Sequence, residues 1–262
     1  MKVIFTIGLA VCGLILFALL NVVIRRWDAH IRSREDYDED VDGKMNKKQR
    51  KEFEVRKARE AELTKMPLVD VYREKPIRFW VITILGAAFG VTTALMYGVT
   101  AKSVILFLFF ALLTTQAFID MDTMELPFAL NVMIFVLGIA SIFLWTEISL
   151  KERLIGMVAL SVPMFLIDLI IPNAFGFGDI KMMFAAGLLL GWKLTLVGFF
   201  AGAIIGALAG VILIASGKKS RKDHIPFGPS LCAGLAAAAL FGGPLVDWYT
   251  NVIKTAFSHS TY

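Results

Sequence analysis

Long apolar runs separated by short polar loops make up most of this chain. A bilayer core is crossed by a helix of about 20 mostly apolar residues. Eight runs approach that length: Val3–Ile24, Phe79–Tyr97, Ser103–Ile119, Phe128–Trp145, Leu154–Ile171, Asp179–Leu190, Leu194–Ser216 and Phe227–Tyr249. The sixth is short, and Gly191-Trp192-Lys193 marks a tight turn into the seventh. The pattern predicts an all-α polytopic membrane protein of about eight transmembrane helices, with one charged insertion after the first. Its parts are a first transmembrane helix at 1–24, a cytoplasmic insertion at 25–78, a membrane core at 79–250 and a short extracytoplasmic tail at 251–262. The first run follows Lys2, can span by itself, and shows no small-x-small cleavage site before Arg25-Arg26, so an uncleaved helix is expected.

Composition agrees. Of 262 residues 57% are apolar and 19% charged, against about 25% charged in soluble domains. The net charge of +5 sits in particular loops and suits membrane orientation rather than a nucleic-acid face. Within the insertion, acidic Glu35–Asp42 precedes basic Lys44–Arg59. Lys47–Glu62 is rich in helix formers and predicts an interfacial helix, against the plainer reading of a charge-balanced loop. The insertion and the basic loop Lys218, Lys219, Arg221, Lys222 are an even number of spans apart, so both belong on the cytoplasmic side. Loop Thr146–Arg153 is balanced in charge and leaves that count unchanged, with both termini outside. Cys12 and Cys232 each lie in an apolar run with no CxxC pair, which predicts two buried, inert thiols and no metal site.

Carboxylates near membrane depth carry the chemical information, because burying one in a span costs roughly 2.5–3.5 kcal/mol. Asp120 closes the third span and Asp179 opens the sixth, within Gly176-Phe177-Gly178-Asp179-Ile180-Lys181. The topology puts both at the cytoplasmic face at similar depth. Two acids sharing a site hold one proton between them. The ionised one can deprotonate a water that attacks a peptide carbonyl, while the protonated one stabilises the oxyanion. Gly176 and Gly178 allow a sharp path into the helix and close approach of a neighbour. Asp179 at a helix N-terminus matches the helix dipole. Lys181 faces elsewhere on that helix, toward lipid headgroups or substrate.

Three ordered blocks resemble the type IV prepilin peptidase family of Gly-x-Gly-Asp membrane aspartic proteases. They are Ile119-Asp120-Met121-Asp122-Thr123 with Leu126-Pro127, then Gly176 to Lys181, then Ile225-Pro226-Phe227-Gly228-Pro229. The resemblance implies that Asp120 and Asp179 are the catalytic pair, with Gly176, Gly178, Lys181, Glu125 and Pro127 shaping the site or meeting substrate. It implies cleavage of pilin, pseudopilin or competence-pilin precursors after a glycine, at the cytoplasmic face of the inner membrane. Many members carry paired CxxC motifs that hold zinc in the first cytoplasmic loop, whereas residues 25–75 here have no cysteine. Many also methylate the new N-terminus with S-adenosylmethionine. This chain has no glycine-rich fingerprint for that cofactor, which proteolysis does not need.

Asp122 and Glu125 read as loop or cap residues, and Asp168, near the end of the fifth span, as a structural hydrogen-bonding group or as a group that steers a charge toward the active site. His224 reads as solvated. Met182-Met183 either line a substrate groove or pack. Pro226 and Pro229 suit the start of the last span. The rival from another class is a proton-coupled transporter using Asp120, Asp168 and Asp179 as a relay. A relay needs acids at several depths, and these cluster at one face. A non-catalytic scaffold of a pilus or secretion system would tolerate loss of both acids. A presenilin-type protease would need Tyr before Asp120 and a Pro-Ala-Leu block, and neither occurs.

Overall fold

The structure, a computed structural model, describes residues 1–41, 58, 75–172, 174–217 and 226–258. Each regular element among them is a helix: α1 Lys2–Val41, α2 Pro76–Tyr97, α3 Ala101–Thr123, α4 Phe128–Leu144, α5 Leu150–Ile170, α6 Phe177–Ala215 and α7 Gly228–Ser258. Six are long and apolar enough to cross a membrane, and α4 is a shorter apolar helix. The fold is that of an all-α polytopic membrane protein. The 39 residues of α6 are interrupted at Gly191, whose φ of 73° and ψ of 166° belong to no helix. Unbroken, a helix of that length would run about 58 Å, about twice a bilayer core. Glycine adopts such a φ without a Cβ clash. Thr195 Oγ1 then donates to the Gly191 carbonyl at 2.7 Å, just past the break. The break separates α6 into the sixth and seventh predicted runs, so all eight runs have helical counterparts.

Two helices outrun their apolar segments. The first continues past Ile24 to Val41, and α7 continues past Tyr249 to Ser258. Neither extension contains glycine or proline, so nothing in the backbone stops the helix where hydrophobicity stops. The expected helix at Lys47–Glu62 (Ala58 apart), the basic loop Lys218–Lys222 and His224 lie outside the described residues.

The chain divides into two compact units, Met1–Val99 with Phe118–Glu125, and Thr100–Ala117 with Leu126–Tyr262. In the first, α1 lies along α2. At Gly13, Gly86 and Gly90 a Cβ would collide with the facing helix. These small residues let the two backbones approach, the usual means of helix association in lipid. Phe17, fully buried, tilts against Phe89 with ring centroids 6.3 Å apart. Cys12 is exposed, contrary to the expectation of burial, because it lies on a face of α1 that α2 leaves uncovered.

In the second unit α6 packs on α4, α5 and α7. Gly156 meets Gly187 across α5 and α6, and Gly234 meets Gly198 and Gly202 across α7 and α6. Met182 and Met183 are both fully buried. Cys232, also buried, places its sulfur 3.7 Å from the Met182 sulfur. The methionine pair is therefore core packing rather than groove lining.

Candidate active site

The start of α6 is built from glycines. Gly176 is its N-cap, with φ −68° and ψ 133° and no side chain to cap with. Its carbonyl accepts from the backbone N–H of Asp179 at 2.9 Å and of Ile180 at 3.2 Å. Asp179, on the third helical position, is 5% exposed. A Cβ added at Gly176 would lie 3.1 Å from the Asp179 Oδ2, so the missing side chain leaves room for this carboxylate to fold back over the helix end. A Cβ at Gly178 would lie 2.6 Å from the Leu126 Cβ. Gly178 thus lets the Leu126-Pro127 segment lie directly on the first turn of α6. Two of the motif blocks meet at this contact.

The approach to that turn is held from α5. Asp168 Oδ1 accepts from the Phe175 backbone N–H at 3.3 Å, and Ala174 N–H donates to the Ile171 carbonyl at 3.1 Å. Asp168 is therefore a structural hydrogen-bonding group, as expected. Lys181 folds back along the helix, with its ammonium 4.4 Å from the Phe177 ring centroid and 4.7 Å from that of Phe128. Cation–π contacts of this kind hold a lysine without neutralising it. Beside it a groove of about 500 Å³ runs between α4, α5 and α6, lined by Phe135, Val162, Phe165, Ile180 and Phe184 among others. Phe135 and Phe184 stack at 5.9 Å, 13° from parallel.

In the first unit, α3 brings Asp120 to its last turn, with 5% exposure beside fully buried Ile119. The helix ends through Met124, whose N–H donates to the Asp120 carbonyl at 2.8 Å. Met124 has a φ of 54°, the left-handed region that non-glycine residues seldom adopt. Asp122 pairs with Arg78 on α2 and lies 4.0 Å from Lys75 Nζ. Arg78 also donates to the Phe118 carbonyl at 3.3 Å and covers the Phe118 ring at 5.1 Å. The start of α2 and the end of α3 are thereby tied together. Asp122 is an ion-pair partner, more than the cap residue its position suggested. Glu125 is exposed and its backbone N–H donates to Thr123 Oγ1 at 3.4 Å, while Pro127 is buried and precedes α4. Among the described residues no group of three or more His, Cys, Asp and Glu stands close enough to hold a metal ion.

Two buried polar groups escaped the sequence reading. Gln116 and Asn131 form a hydrogen-bonded pair, Nε2 to Oδ1, at 2.7 Å. Asn131 in turn donates from Nδ2 to the Gly178 carbonyl at 3.3 Å. The signal was available as two amides inside apolar runs. Arg153, counted as a loop residue, is instead fully buried on α5. It donates to the Ser141 hydroxyl (2.6 Å) and to the carbonyls of Trp145 (2.7 Å), Leu189 (2.9 Å), Leu188 (3.0 Å), Ser141 and Ile148 (both 3.3 Å).

Residues 106–211 match the model of the type IV leader peptidase family, a stretch that includes Asp120 and Asp179. Over that stretch the chain is similar to the type IV leader peptidase family. Among leader peptidase relatives, the Prepilin leader peptidase/N-methyltransferase of Burkholderia pseudomallei strain 1026b is 30% identical over 173 residues, covering 64% of this chain and 56% of that protein. The protein of the same name in Legionella pneumophila is 27% identical over 178 residues, covering 66% and 62%. In Bacillus subtilis strain 168 the likeness is 34% over 77 residues, covering 29% and 31%. The chain spans a little over half the length of the first two of these leader peptidase relatives. No solved structure matches it.

Proposed function

We propose that this chain is a membrane aspartic endopeptidase. It removes the leader of prepilin-like proteins after a glycine at the cytoplasmic membrane face, with Asp120 and Asp179 as the reacting pair. The observation that carries the reading is the family match over residues 106–211, which includes both aspartate blocks. It is supported by the burial of both carboxylates to 5% exposure, and by a glycine-capped helix start that leaves room for that of Asp179.

One carboxylate is ionised and takes a proton from a water. The water oxygen bonds to the scissile carbonyl carbon, and the second, protonated carboxyl stabilises the new oxyanion. When the tetrahedral intermediate collapses, the C–N bond breaks and the leaving amine takes a proton from a carboxyl. In this reading the groove beside Lys181 receives the apolar segment of the substrate, and Gly176, Gly178 and Pro127 shape the path to Asp179. The relatives' names also carry an N-methyltransferase activity. Although Asn131, Ser161 and Lys181 are in its wall, the groove's exposed surface is almost wholly apolar and does not fit the charged, polar S-adenosylmethionine, so no step is assigned to that cofactor.

The test is cleavage of a prepilin-type substrate by the purified protein in detergent, read by mass spectrometry. Wild type should cut after the glycine. Asp120→Asn and Asp179→Asn should fold and lose about 10³-fold or more in rate, the scale of general acid–base catalysis. A variant that keeps the wild-type rate removes its aspartate from the pair. Adding S-adenosylmethionine to the same assay shows whether the product gains the mass of a methyl group.

A further inference from the structure

We infer that Gln116 and Asn131 are positioning residues that hold the peptide group in front of Asp179, an inference that rests on the catalytic reading of Asp179. The peptide joining Gly178 to Asp179 is held at both ends. Its carbonyl accepts from Asn131 Nδ2 at 3.3 Å, and its N–H donates to the Gly176 carbonyl at 2.9 Å. Glycines at 176 and 178 leave this turn few side-chain restraints of its own and wide backbone freedom. The Asn131 amide supplies a restraint from α4, and Gln116 Nε2, at 2.7 Å, fixes which way that amide faces. With Oδ1 occupied as acceptor, the Asn131 NH₂ must point to Gly178. Gln116 lies on the part of α3 that belongs to the second unit, and the pair joins that part to the turn carrying Asp179.

Burial argues that the pair is kept for placement rather than stability. Gln116 is 0% and Asn131 3% exposed. Gln116 Oε1 is buried without a hydrogen-bond partner. An unsatisfied buried acceptor is unfavourable, and replacing both members of such a pair by apolar groups of similar shape is close to neutral. In the apolar bundle of a membrane protein, leucines at both positions would be the simpler solution. A purely structural pair would therefore be poorly chosen, whereas a pair that orients one peptide group has to be polar.

The experiment compares wild type with Asn131→Leu, Asn131→Asp and the double variant Gln116→Leu/Asn131→Leu. It reads melting temperature in detergent, hydrogen exchange of the backbone amides across 176–181, and kcat and KM for a prepilin-type substrate. The double variant should melt at or above the wild-type temperature. Exchange at the Asp179 amide should rise at least about tenfold and kcat should fall by about 10- to 100-fold, as for a misplaced reacting group; because Asn131 also borders the groove, a rise in KM with kcat unchanged would mark it as a groove residue instead and overturn the inference. Asn131→Asp keeps the shape but loses the donor, and should show the same exchange and kcat defects. Unchanged amide exchange and unchanged kcat in the double variant would overturn the inference. A double variant that unfolds would also overturn it, since the pair would then be structural. If wild type cuts no prepilin-type substrate, the catalytic reading falls, and amide exchange at Asp179 still decides whether the pair holds that turn.

Discussion

The first piece of α6, residues 177–190, ends differently at its two termini. At the N-terminus a carboxylate, Asp179, meets a turn of glycines. At the C-terminus a guanidinium from α5, Arg153, collects the carbonyls of Leu188 and Leu189 together with those of α4. Both charges have the sign the helix dipole favours at their end. The difference lies in what else is bound. Six acceptors surround Arg153, more than its five N–H donors can serve singly, so its capacity is spent on the protein. At the Asp179 end the missing side chain of Gly176 leaves room for the carboxylate, and that of Gly178 admits Leu126. A charge enclosed by saturated partners is architecture. A charge given room by glycines is where chemistry is sought.

The largest effect expected from breaking this contrast is at Arg153. Arg153→Met leaves several buried carbonyls without donors and should lower stability by at least about 3 kcal/mol, seen as loss of folded protein or a sharply lower melting temperature. Arg153→Lys should recover only part, because one ammonium cannot reach the same set of acceptors. A Met variant that melts like wild type would show that the enclosed end is dispensable.

A smaller effect is expected at the other end. Gly178→Ala sets a Cβ 2.6 Å from that of Leu126, and overpacking of this kind costs about 1–3 kcal/mol. Cleavage should fall with it, and Leu126→Ala in the same chain should restore much of both. In a double-mutant cycle, coupling below about 0.5 kcal/mol would mean that the Leu126 contact does not explain the glycine.

The smallest effect belongs to the periphery of the Arg153 end. The hydrogen bond from Lys102, at 2.5 Å, holds the Glu147 carboxyl below the usual glutamate range against a smaller opposing push from burial. With the folded value depressed, the pair stabilises above the unfolded glutamate value of about 4.3 and loses that contribution as pH falls through the folded value. Glu147 is 68% exposed, so Lys102→Met should cost under about 1 kcal/mol at neutral pH. The difference from wild type should shrink in acid, as thermal melts at stepped pH would show. A difference that grows in acid would contradict the assignment.

Much of this architecture is legible in the residue pattern, and the exceptions have physical causes. Apolar runs mark what lipid covers, so all eight helical pieces are visible, and Gly191 announces its break because few other residues adopt that φ. Helix ends are less legible. Residues 25–41 continue α1 without any apolar signal, since polar residues without glycine or proline extend a helix as well as apolar ones do. The Gly176–Lys181 block stands out because glycine and aspartate are rare together at the edge of an apolar run. Gln116, Asn131 and Arg153 do not stand out. Their meaning lies in partners 5 to 47 residues away, and no local pattern encodes which carbonyl a buried donor will find. The exposure of Cys12 was hidden for the converse reason, since an apolar run does not say which of its faces meets protein.

Arg153 also has a bearing on the order in which the protein comes together. Its upstream acceptors, Ser141 and Trp145, have already been synthesised when α5 enters the bilayer, while Leu188 and Leu189 have not. Until α6 arrives, the guanidinium lacks the two carbonyl acceptors that this helix supplies. Packing of α6 on α5 completes the set, so a donor on α5 favours its pairing with the helix whose first turn carries Asp179.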